Sequence, residues 1–281
     1  MTFLLLLTVC ACGSSGSEGE GKDPSGGKEP NAPLTVAEQV CYDENNIKIT
    51  VTSFDEDGSF MGPELKILVE NNGEKNITVQ VRDVSINDIM IDGSLSTDVA
   101  PGKKANDEIS FMSSDLEIAN IKTIKKIELY FHIFDSDSWD TISDSGMVTI
   151  ETSADKSIMQ EYDDSGFVAY DQKGYKIVIK KLNDEDSFWG AELAVYVENN
   201  SGKDVTVQAR DVSINGFMVD PSFSCDVLNG KKAFDTITFF ESDLESNNIT
   251  DITDLEISFH IFDAHSWDTI IDTDAITVKF E

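Results

Sequence analysis

The chain has 281 residues and a formal net charge of −32, from 53 acidic and 21 basic side chains. This length leaves room for two domains of ordinary size. Nucleic acid is excluded as an expected partner, because binding to phosphates requires lysine and arginine to neutralise them. A bare anionic membrane surface would repel the chain for the same reason, and the charge is typical of a highly soluble protein.

The N-terminal segment predicts an export signal. Residues 3–9 form an apolar run that is shorter than the roughly 20 residues needed to cross a bilayer but suits the core of a secretory signal. The following residues 9–12 resemble the bacterial lipobox, in which a small residue precedes a cysteine that is diacylated and becomes the first residue after cleavage. The resemblance implies a signal peptide over residues 1–11 and a lipid on Cys12, because Ala11 is the small residue. The chain departs from the usual signal in having no lysine or arginine before the apolar run.

The next segment predicts a flexible tether. Residues 13–39 contain six glycines and three prolines but no aromatic residue. Such a composition buries too little apolar surface to offset the loss of chain entropy, so we expect disorder over residues 12–39. A flexible chain of this length has a root-mean-square reach of roughly 30 Å. The tether would hold folded domains away from a membrane.

From residue 42 to residue 278 the chain repeats itself after 128 residues. Residues 79–87 (VQVRDVSIN) return as residues 207–215 (VQARDVSIN), and residues 131–135 (FHIFD) return as residues 259–263. An internal repeat fixes the architecture. It predicts one domain over residues 40–152, a polar linker over 153–167, and a second domain over 168–281. Relative motion of two such domains is the default expectation.

Apolar residues alternate with polar residues in most segments, which predicts half-buried strands. The alternation changes phase at Arg82-Asp83 and at Arg210-Asp211, and this predicts a β-bulge or a change of sheet. Asn87-Asp88 and Asn215-Gly216 predict tight hairpin turns. A single helical turn is predicted over 114–117 and 242–245, with serine and aspartate side chains as its caps.

About seven strands in roughly 110 residues are typical of an immunoglobulin-like β-sandwich. The predicted fold is therefore all-β, with two tandem immunoglobulin-like antiparallel β-sandwiches after the signal peptide and tether. A closed barrel is the alternative for each copy.

Three motifs occur in both copies or in close variants: Val-Glu-Asn-Asn, Val-Gln-x-Arg-Asp-Val-Ser-Ile-Asn and Phe-His-Ile-Phe-Asp. Together with the lipoprotein signal and the tether, they resemble the telokin-like, immunoglobulin-like extracellular domains of Gram-positive bacterial lipoproteins. The resemblance covers both repeats and stops at the tether. It implies the sandwich fold and an extracytoplasmic, membrane-anchored location, and it implies no mechanism.

Two repeated features are candidates for a ligand surface. Trp139-Asp140 and Trp267-Asp268 follow a strand end, where a tryptophan either stacks on a glycan or protein ligand or plugs the end of the core. The plug is the favoured interpretation. Arg82 and Arg210 either meet an anionic ligand or pair with neighbouring side chains at the bulge, and local pairing is favoured.

Metal sites and disulfides are not expected. His132 and His260 occupy the same strand position in the two copies, and one histidine per domain supplies too few ligands for zinc. The acidic residues 135–140 suggest calcium but lack the flanking helices, the glycine and the distal glutamate of an EF-hand, so aspartates that set turns are favoured.

Cys41 and Cys225 occupy different positions in the repeat. A disulfide between them and two idle thiols both remain open, and idle thiols are favoured.

Catalytic signatures are missing from the sequence: it contains no Gly-x-Ser-x-Gly elbow, HExxH motif, P-loop or dinucleotide fingerprint. We therefore expect a protein that is not an enzyme and has no cofactor. The favoured hypothesis is a cell-surface lipoprotein that displays two binding domains and is held to the membrane through Cys12. The alternatives are a structural spacer with no specific ligand and a calcium-stabilised surface module.

Overall fold

The computed structural model describes residues 33–183 and 190–280, and the segment Pro33–Glu281 forms one compact unit. The signal peptide predicted over residues 1–11, the lipidated Cys12 and the tether up to residue 32 lie outside the described residues. In the part of the chain that the structure describes, no helix has the length and apolar character needed to cross a membrane.

The first repeat forms short and long strands around one short helix. They are β1 (Gln39–Glu44), β2 (Ile47–Ser59), β3 (Gly62–Asn71), β4 (Ile77–Ile86), β5 (Ile89–Met90), β6 (Gly93–Ser94), β7 (Ser96–Val99), β8 (Lys103–Phe111), α1 (Ser113–Ile118), β9 (Lys126–Asp135), β10 (Thr141–Asp144) and β11 (Val148–Glu151).

The second repeat follows the same order. Its elements are β12 (Phe167–Gln172), β13 (Tyr175–Asn183), β14 (Gly190–Asn199), β15 (Val205–Ile214), β16 (Phe217–Met218), β17 (Ser224–Val227), β18 (Lys231–Phe240), α2 (Glu241–Ser246), β19 (Asp254–Asp263), β20 (Thr269–Asp272) and β21 (Ile276–Lys279).

Each repeat is a sandwich of two sheets around its own core. In the first repeat one sheet has the order β1-β2-β3-β8-β6, and β4 pairs with β9 in the other. Placing β8 beside β3 and β9 beside β4 gives the interleaved connection of the immunoglobulin fold. Alternate residues of facing strands fill the core, among them Leu65 and Ile67 of β3 and Leu129 and Phe131 of β9. The predicted all-β sandwiches are confirmed, and the closed barrel is not observed.

The predicted bulges are confirmed in both copies. The pairing of β4 with β9 shifts register between Arg82 and Ser85, and the pairing of β15 with β19 shifts between Arg210 and Ser213. Asp83, within the first bulge, has a φ of 52°. The extra residue lets the strand keep apolar side chains toward the core on both sides of the phase change.

The predicted hairpin turns are also confirmed. Asn87 and Asp88 have φ values of 52° and 68°, and Asn215 and Gly216 have values of 51° and 80°. Two successive residues with positive φ define a type I′ turn. The two helices lie where they were predicted, but the predicted serine and aspartate caps are wrong, because neither N-terminus has a side-chain capping bond.

The folded part begins earlier than residue 40. Leu34 and Val36, which the sequence assigned to the tether, pack against the first core. Val36 forms a β-bridge with Thr152, and the amide of Ser153 donates to the carbonyl of Thr35 at 2.7 Å. Two apolar residues at alternate positions are sufficient here to extend the edge of the sandwich.

A shared sheet joins the two repeats, and the expectation of two domains on a polar linker did not include this contact. Strand β5 pairs in parallel with β18, with Ile89 opposite Lys232 and Met90 opposite Ala233. Other strand pairs in the described residues are antiparallel. Phe234 of β18 also packs against the first core, and Met90 packs against the second. We call this contact the joint.

The linker reinforces the joint. The side-chain amide of Gln160 accepts a hydrogen bond from Asn87 at 2.9 Å and donates to the carbonyl of Asn120 at 3.1 Å. Tyr162 stacks on Tyr196 of the second repeat, with ring centroids 6.0 Å apart. These contacts tie the linker to both repeats.

A charged cluster lies at the centre of the joint. The ammonium of Lys231, whose side chain is 8% exposed, pairs with Asp88 at 2.7 Å and with Glu128. Lys126 pairs with the same two carboxylates at 2.7 and 2.9 Å. Burial alone would raise the pKa of Asp88 and Glu128, but the hydrogen bonds from the two lysines outweigh it and hold both pKa values below their usual range. Both carboxylates therefore stay ionised at neutral pH.

Cys41 and Cys225 are both free thiols. Cys41 packs beside the first core, whereas Cys225 is buried in the second core. Burial raises the pKa of both thiols. No bridge joins the two cysteines in the described residues.

Candidate functional site

The main surface feature of each repeat is a line of three aromatic rings on the outer face of the second sheet. In the first repeat the rings of His132 and Phe134 lie 5.4 Å apart, and Trp139 stacks on Phe134 at 5.5 Å with an interplanar angle of 17°. We call this line the aromatic row. It brings a strand residue and a loop residue into contact.

The second repeat reproduces the aromatic row. His260 and Phe262 lie 5.2 Å apart, and Trp267 stacks on Phe262 at 5.6 Å and 18°. The two copies therefore share both the spacing and the tilt of the rings.

Both tryptophans are 75% exposed, so the prediction that they plug the core is wrong. The cause is local backbone geometry: Trp139 and Trp267 have φ values of 65° and 64°. This left-handed conformation lays each indole across the outside of the sheet, with one face on phenylalanine and the rest toward solvent. Bulky residues rarely adopt it, and the strain must be held by the surrounding loop.

Asp135 holds the loop of the first repeat. Its carboxylate accepts hydrogen bonds from the amides of Asp137 at 3.0 Å and Ser138 at 3.3 Å. The amide of Trp139 donates to the carbonyl of Asp135 at 2.8 Å, and the amide of Asp135 donates to the carbonyl of Asp140 at 3.0 Å. The hydroxyl of Ser138 then bonds the Asp140 carboxylate at 2.9 Å.

The same network closes the loop of the second repeat. The Asp263 carboxylate accepts from the amides of His265 and Ser266, each at 3.1 Å, and pairs with Lys203 at 3.1 Å. Ser266 bonds the Asp268 carboxylate at 2.9 Å. The favoured interpretation of these aspartates as residues that set turns is confirmed. Among the described residues there is no group of three or more histidine, cysteine or acidic side chains arranged to hold a metal.

The loop network predicts a pH dependence. Hydrogen bonds from the Ser266 amide, then the Lys203 ammonium and the His265 amide, lower the pKa of Asp263 to about 2, compared with about 3.9 for an unfolded aspartate. Because the folded pKa is the lower one, the carboxylate stabilises the fold fully above about pH 5, and this stabilisation is lost as the pH falls toward 2. We expect Asp263→Asn to lower the thermal midpoint at pH 7 and to have a much smaller effect near pH 2.5.

The control for this measurement is Asp268→Asn, which removes the same charge from the same loop. It should change the midpoint by a similar small amount at both pH values. An Asp263→Asn effect that does not depend on pH would contradict the role given to this carboxylate.

The two strand histidines have a structural partner in each copy. Nδ1 of His132 lies 2.5 Å from the Asp144 carboxylate, and Nδ1 of His260 lies 2.5 Å from that of Asp272. The pair fixes the ring beside the row's phenylalanine. It also ties β10 to β9, and β20 to β19.

The two arginines do not join the aromatic row. Arg210 is exposed and donates to the side chain of Gln208 at 3.0 Å, which agrees with a local role. Arg82 lines a cleft of about 510 Å³ between the repeats. The same cleft is lined by five aspartates, Asp83, Asp92, Asp115, Asp226 and Asp235, so its chemistry does not suit an anionic ligand.

Sequence reasoning missed Phe134 and Phe262 as the base of the site. The signal was present, because alternation in the Phe-His-Ile-Phe-Asp motif places these residues on the face away from the core. Each is nonetheless nearly buried, at 5% and 4% exposure. The tryptophan is what covers them.

Comparisons with known proteins do not assign a family. No family model and no curated protein matches the chain. The crystal structure of the YadV chaperone is similar over 84% of this chain and 100% of its own, with 9% sequence identity and a TM-score of 0.25. A protein of unknown function from Porphyromonas gingivalis W83 is similar over 89% and 100%, with 12% identity and a TM-score of 0.20. Neither likeness is close enough to support an inference about this chain.

Proposed function

We propose that this protein is a non-catalytic binding lipoprotein of the bacterial cell surface, and that its two aromatic rows are its ligand sites. The observation that carries the proposal is the duplicated exposure of Trp139 and Trp267 at a strained backbone conformation. Folding alone favours covering a large ring, and strain that persists in both copies is typical of a functional site.

A carbohydrate is the ligand that fits this surface. One face of each indole rests on phenylalanine, and its exposed side offers a flat apolar platform. In the first repeat the Ser138 hydroxyl and Asp140 carboxylate lie next to the ring in the chain and provide hydrogen-bonding oxygens. A sugar ring stacks its apolar face on indole while its hydroxyls bond to such oxygens. The net charge of −32 favours neutral or amino sugars over acidic ones.

Two weak sites on one membrane-anchored protein would act together. A lipid on Cys12 and the predicted tether, both outside the described residues, would hold the compact unit at the cell surface. Two sites on one body raise the effective concentration of the second site once the first is occupied. Weak stacking at each tryptophan is then sufficient for useful avidity.

The test begins with the mature protein, in which mass spectrometry is expected to find a diacylated residue 12. The compact unit starting at Pro33 and the full chain with Cys12→Ser are then screened on a glycan array. Sugars that bind are titrated by isothermal titration calorimetry, whose signal does not depend on the tryptophans that the variants remove. We expect Trp139→Ala and Trp267→Ala each to weaken binding, and the double variant to lose at least about tenfold in affinity.

Phe60→Ala is the matched control, because Phe60 is 96% exposed and belongs to neither aromatic row. It should bind as the wild type does. Loss of stability without loss of binding in the double variant would return the tryptophans to a structural role. A polypeptide ligand is the alternative outcome, and binding on a protein array that the same double variant loses would identify it.

A structural spacer is the second candidate, and the joint is the observation that favours it. A sheet that continues from one repeat into the next holds the two repeats at a more constant distance and angle than a flexible linker does. Absence of binding on both arrays would favour the spacer and overturn the proposed binding function.

A further inference from the structure

The joint uses two edges that each repeat possesses, and each repeat uses only one of them. The first repeat contributes β5, and the second contributes the start of β18. The internal repeat places a second β5-like edge at β16, and a second β18-like edge at the start of β8. These two edges lie in different sheets: β16 is the terminal strand of the sheet β16-β15-β19-β20, and the start of β8 lies in the sheet β1-β2-β3-β8-β6.

Both unused edges are exposed where their counterparts are buried. Phe217 and Met218 of β16 are 48% and 66% exposed, whereas Ile89, the counterpart of Phe217, is 1% exposed. Lys103 of β8 is exposed, whereas its counterpart Lys231 is 6% exposed. An apolar strand edge left open in this way is a template for pairing with another strand.

The backbone at each open edge has the geometry of the joint. Asn215 orders the turn before β16 by accepting from the amides of Thr253 and Asp254, at 2.9 and 3.1 Å. Asn87 does the same before β5, with the amides of Lys125 and Lys126.

Strand β8 pairs with β3 in the same register as β18 with β14: Lys103 lies opposite Asn71, and Lys231 lies opposite Asn199. In the joint the amide of Lys232 donates to the carbonyl of Asp88 at 3.1 Å. The equivalent amide of Lys104 therefore points toward the open side of β8.

The charges of the two open edges are complementary. Beside β16, Glu256 is the counterpart of Glu128 in the joint, and Asp254 replaces Lys126. This end therefore carries two carboxylates, and Gly216 stands where the joint has Asp88. The β8 edge offers Lys103 and Lys104. A lysine on an edge strand often prevents pairing, but Lys231 shows that this position can instead bind carboxylates of the adjoining repeat.

We propose that a second copy of this chain docks the start of its β8 against β16, repeating the joint between molecules. Such a contact joins two different surfaces, so it leaves one open edge at each end and adds further copies in a line. The contact lacks the linker, whose Gln160 and Tyr162 strengthen the joint within the chain. Assembly is therefore weaker than the joint and depends on protein concentration.

Sedimentation velocity over about 1 μM to 1 mM protein tests the proposal. The wild type is expected to form species larger than dimers as the concentration rises, both as the full chain with Cys12→Ser and as the compact unit from Pro33. Agreement of the two shows that the apolar residues 3–9 are not the cause. A wild type that stays monomeric throughout, or stops at a dimer, overturns the proposal.

Two charge reversals make the test specific. Lys103→Glu and Glu256→Lys should each weaken association at least about tenfold. An equimolar mixture of the two variants should assemble again, because each reversed edge then meets an opposite charge on the other variant. Lys181→Glu, an exposed change of the same charge, is the control and should assemble as the wild type does. Variants that assemble singly, or a mixture that fails to assemble, would overturn the proposed edges.

Discussion

Replacing Asn199 with alanine is expected to lower the free energy of unfolding by about 3 kcal/mol. The side chain is fully buried. Its amide nitrogen donates to the carbonyls of Lys203 and Val227 at 2.7 and 2.8 Å, and its oxygen accepts from the amide of Ser201 at 3.1 Å. Alanine leaves the carbonyl of the buried Val227 without this partner, and an unsatisfied buried group costs about 1–3 kcal/mol. The carbonyl of Lys203 and the amide of Ser201 also lose their bonds.

The neighbouring Asn200 provides a matched control. It belongs to the same Val-Glu-Asn-Asn motif but is exposed, so Asn200→Ala should change stability by less than about 0.5 kcal/mol. Urea unfolding at constant slope measures both. Asn71 makes equivalent bonds to Lys75 and Val99 in the first repeat, and Asn71→Ala should repeat the effect. Equal midpoints for the Asn199 and Asn200 variants would contradict the role of the buried amide.

Replacing Lys231 with alanine is expected to cost about 2 kcal/mol, because it breaks the charged cluster of the joint. Glu128, whose side chain is 14% exposed, loses one of its two cationic partners, and Asp88 does too. Removing one member of a buried ion pair typically costs about 3–5 kcal/mol. Lys126 remains beside both carboxylates, so we expect a smaller loss.

Lys103→Ala is the control for this change, because the residue has the same place in the first repeat and is exposed. It should be neutral within about 0.5 kcal/mol when measured at low protein concentration. The Lys231 variant should also allow faster hydrogen exchange at Ile89 and Met90, whose strand pairs with β18. Unchanged exchange together with unchanged stability would show that the cluster does not hold the joint.

Local features of the fold could be predicted from the sequence because they depend on neighbouring residues. The phase change at Arg82-Asp83 gave the bulge, and Asn215-Gly216 gave the turn. The helix caps could not be predicted in this way. Each helix begins one residue earlier than predicted, so the N-cap residues are Met112 and Phe240, whose side chains have no oxygen to accept from a helix amide.

The joint could not be predicted from the repeat, because a repeat emphasises what the two copies share. The joint depends on where they differ: Asp88 stands opposite Gly216 in the alignment of the copies, Phe234 opposite Asn106, and Tyr196 opposite Leu68. Each of the three has a partner across the joint or on the linker. A cluster of such differences is the signal that could have indicated it.

The aromatic row was partly predictable. The sequence singled out Trp139 and Trp267 by their position after a strand. Their exposure depends on a positive φ that most tryptophans do not adopt, and alternation alone does not reveal it. The favoured plug was wrong for this reason, although the same alternation placed Phe134 and Phe262 on the outer face.

The parallel pairing of β5 with β18 has a consequence for ligand selection. The shared sheet contains β9 of the first aromatic row, whereas β19 of the second row lies in the other sheet of its sandwich. The interval between the two indole platforms therefore depends on strand twist in the shared sheet and on the packing of the two sheets across the second core. Under the proposed binding function, a polymer whose units recur at the matching interval would contact both platforms without bending, whereas units at another spacing would contact only one.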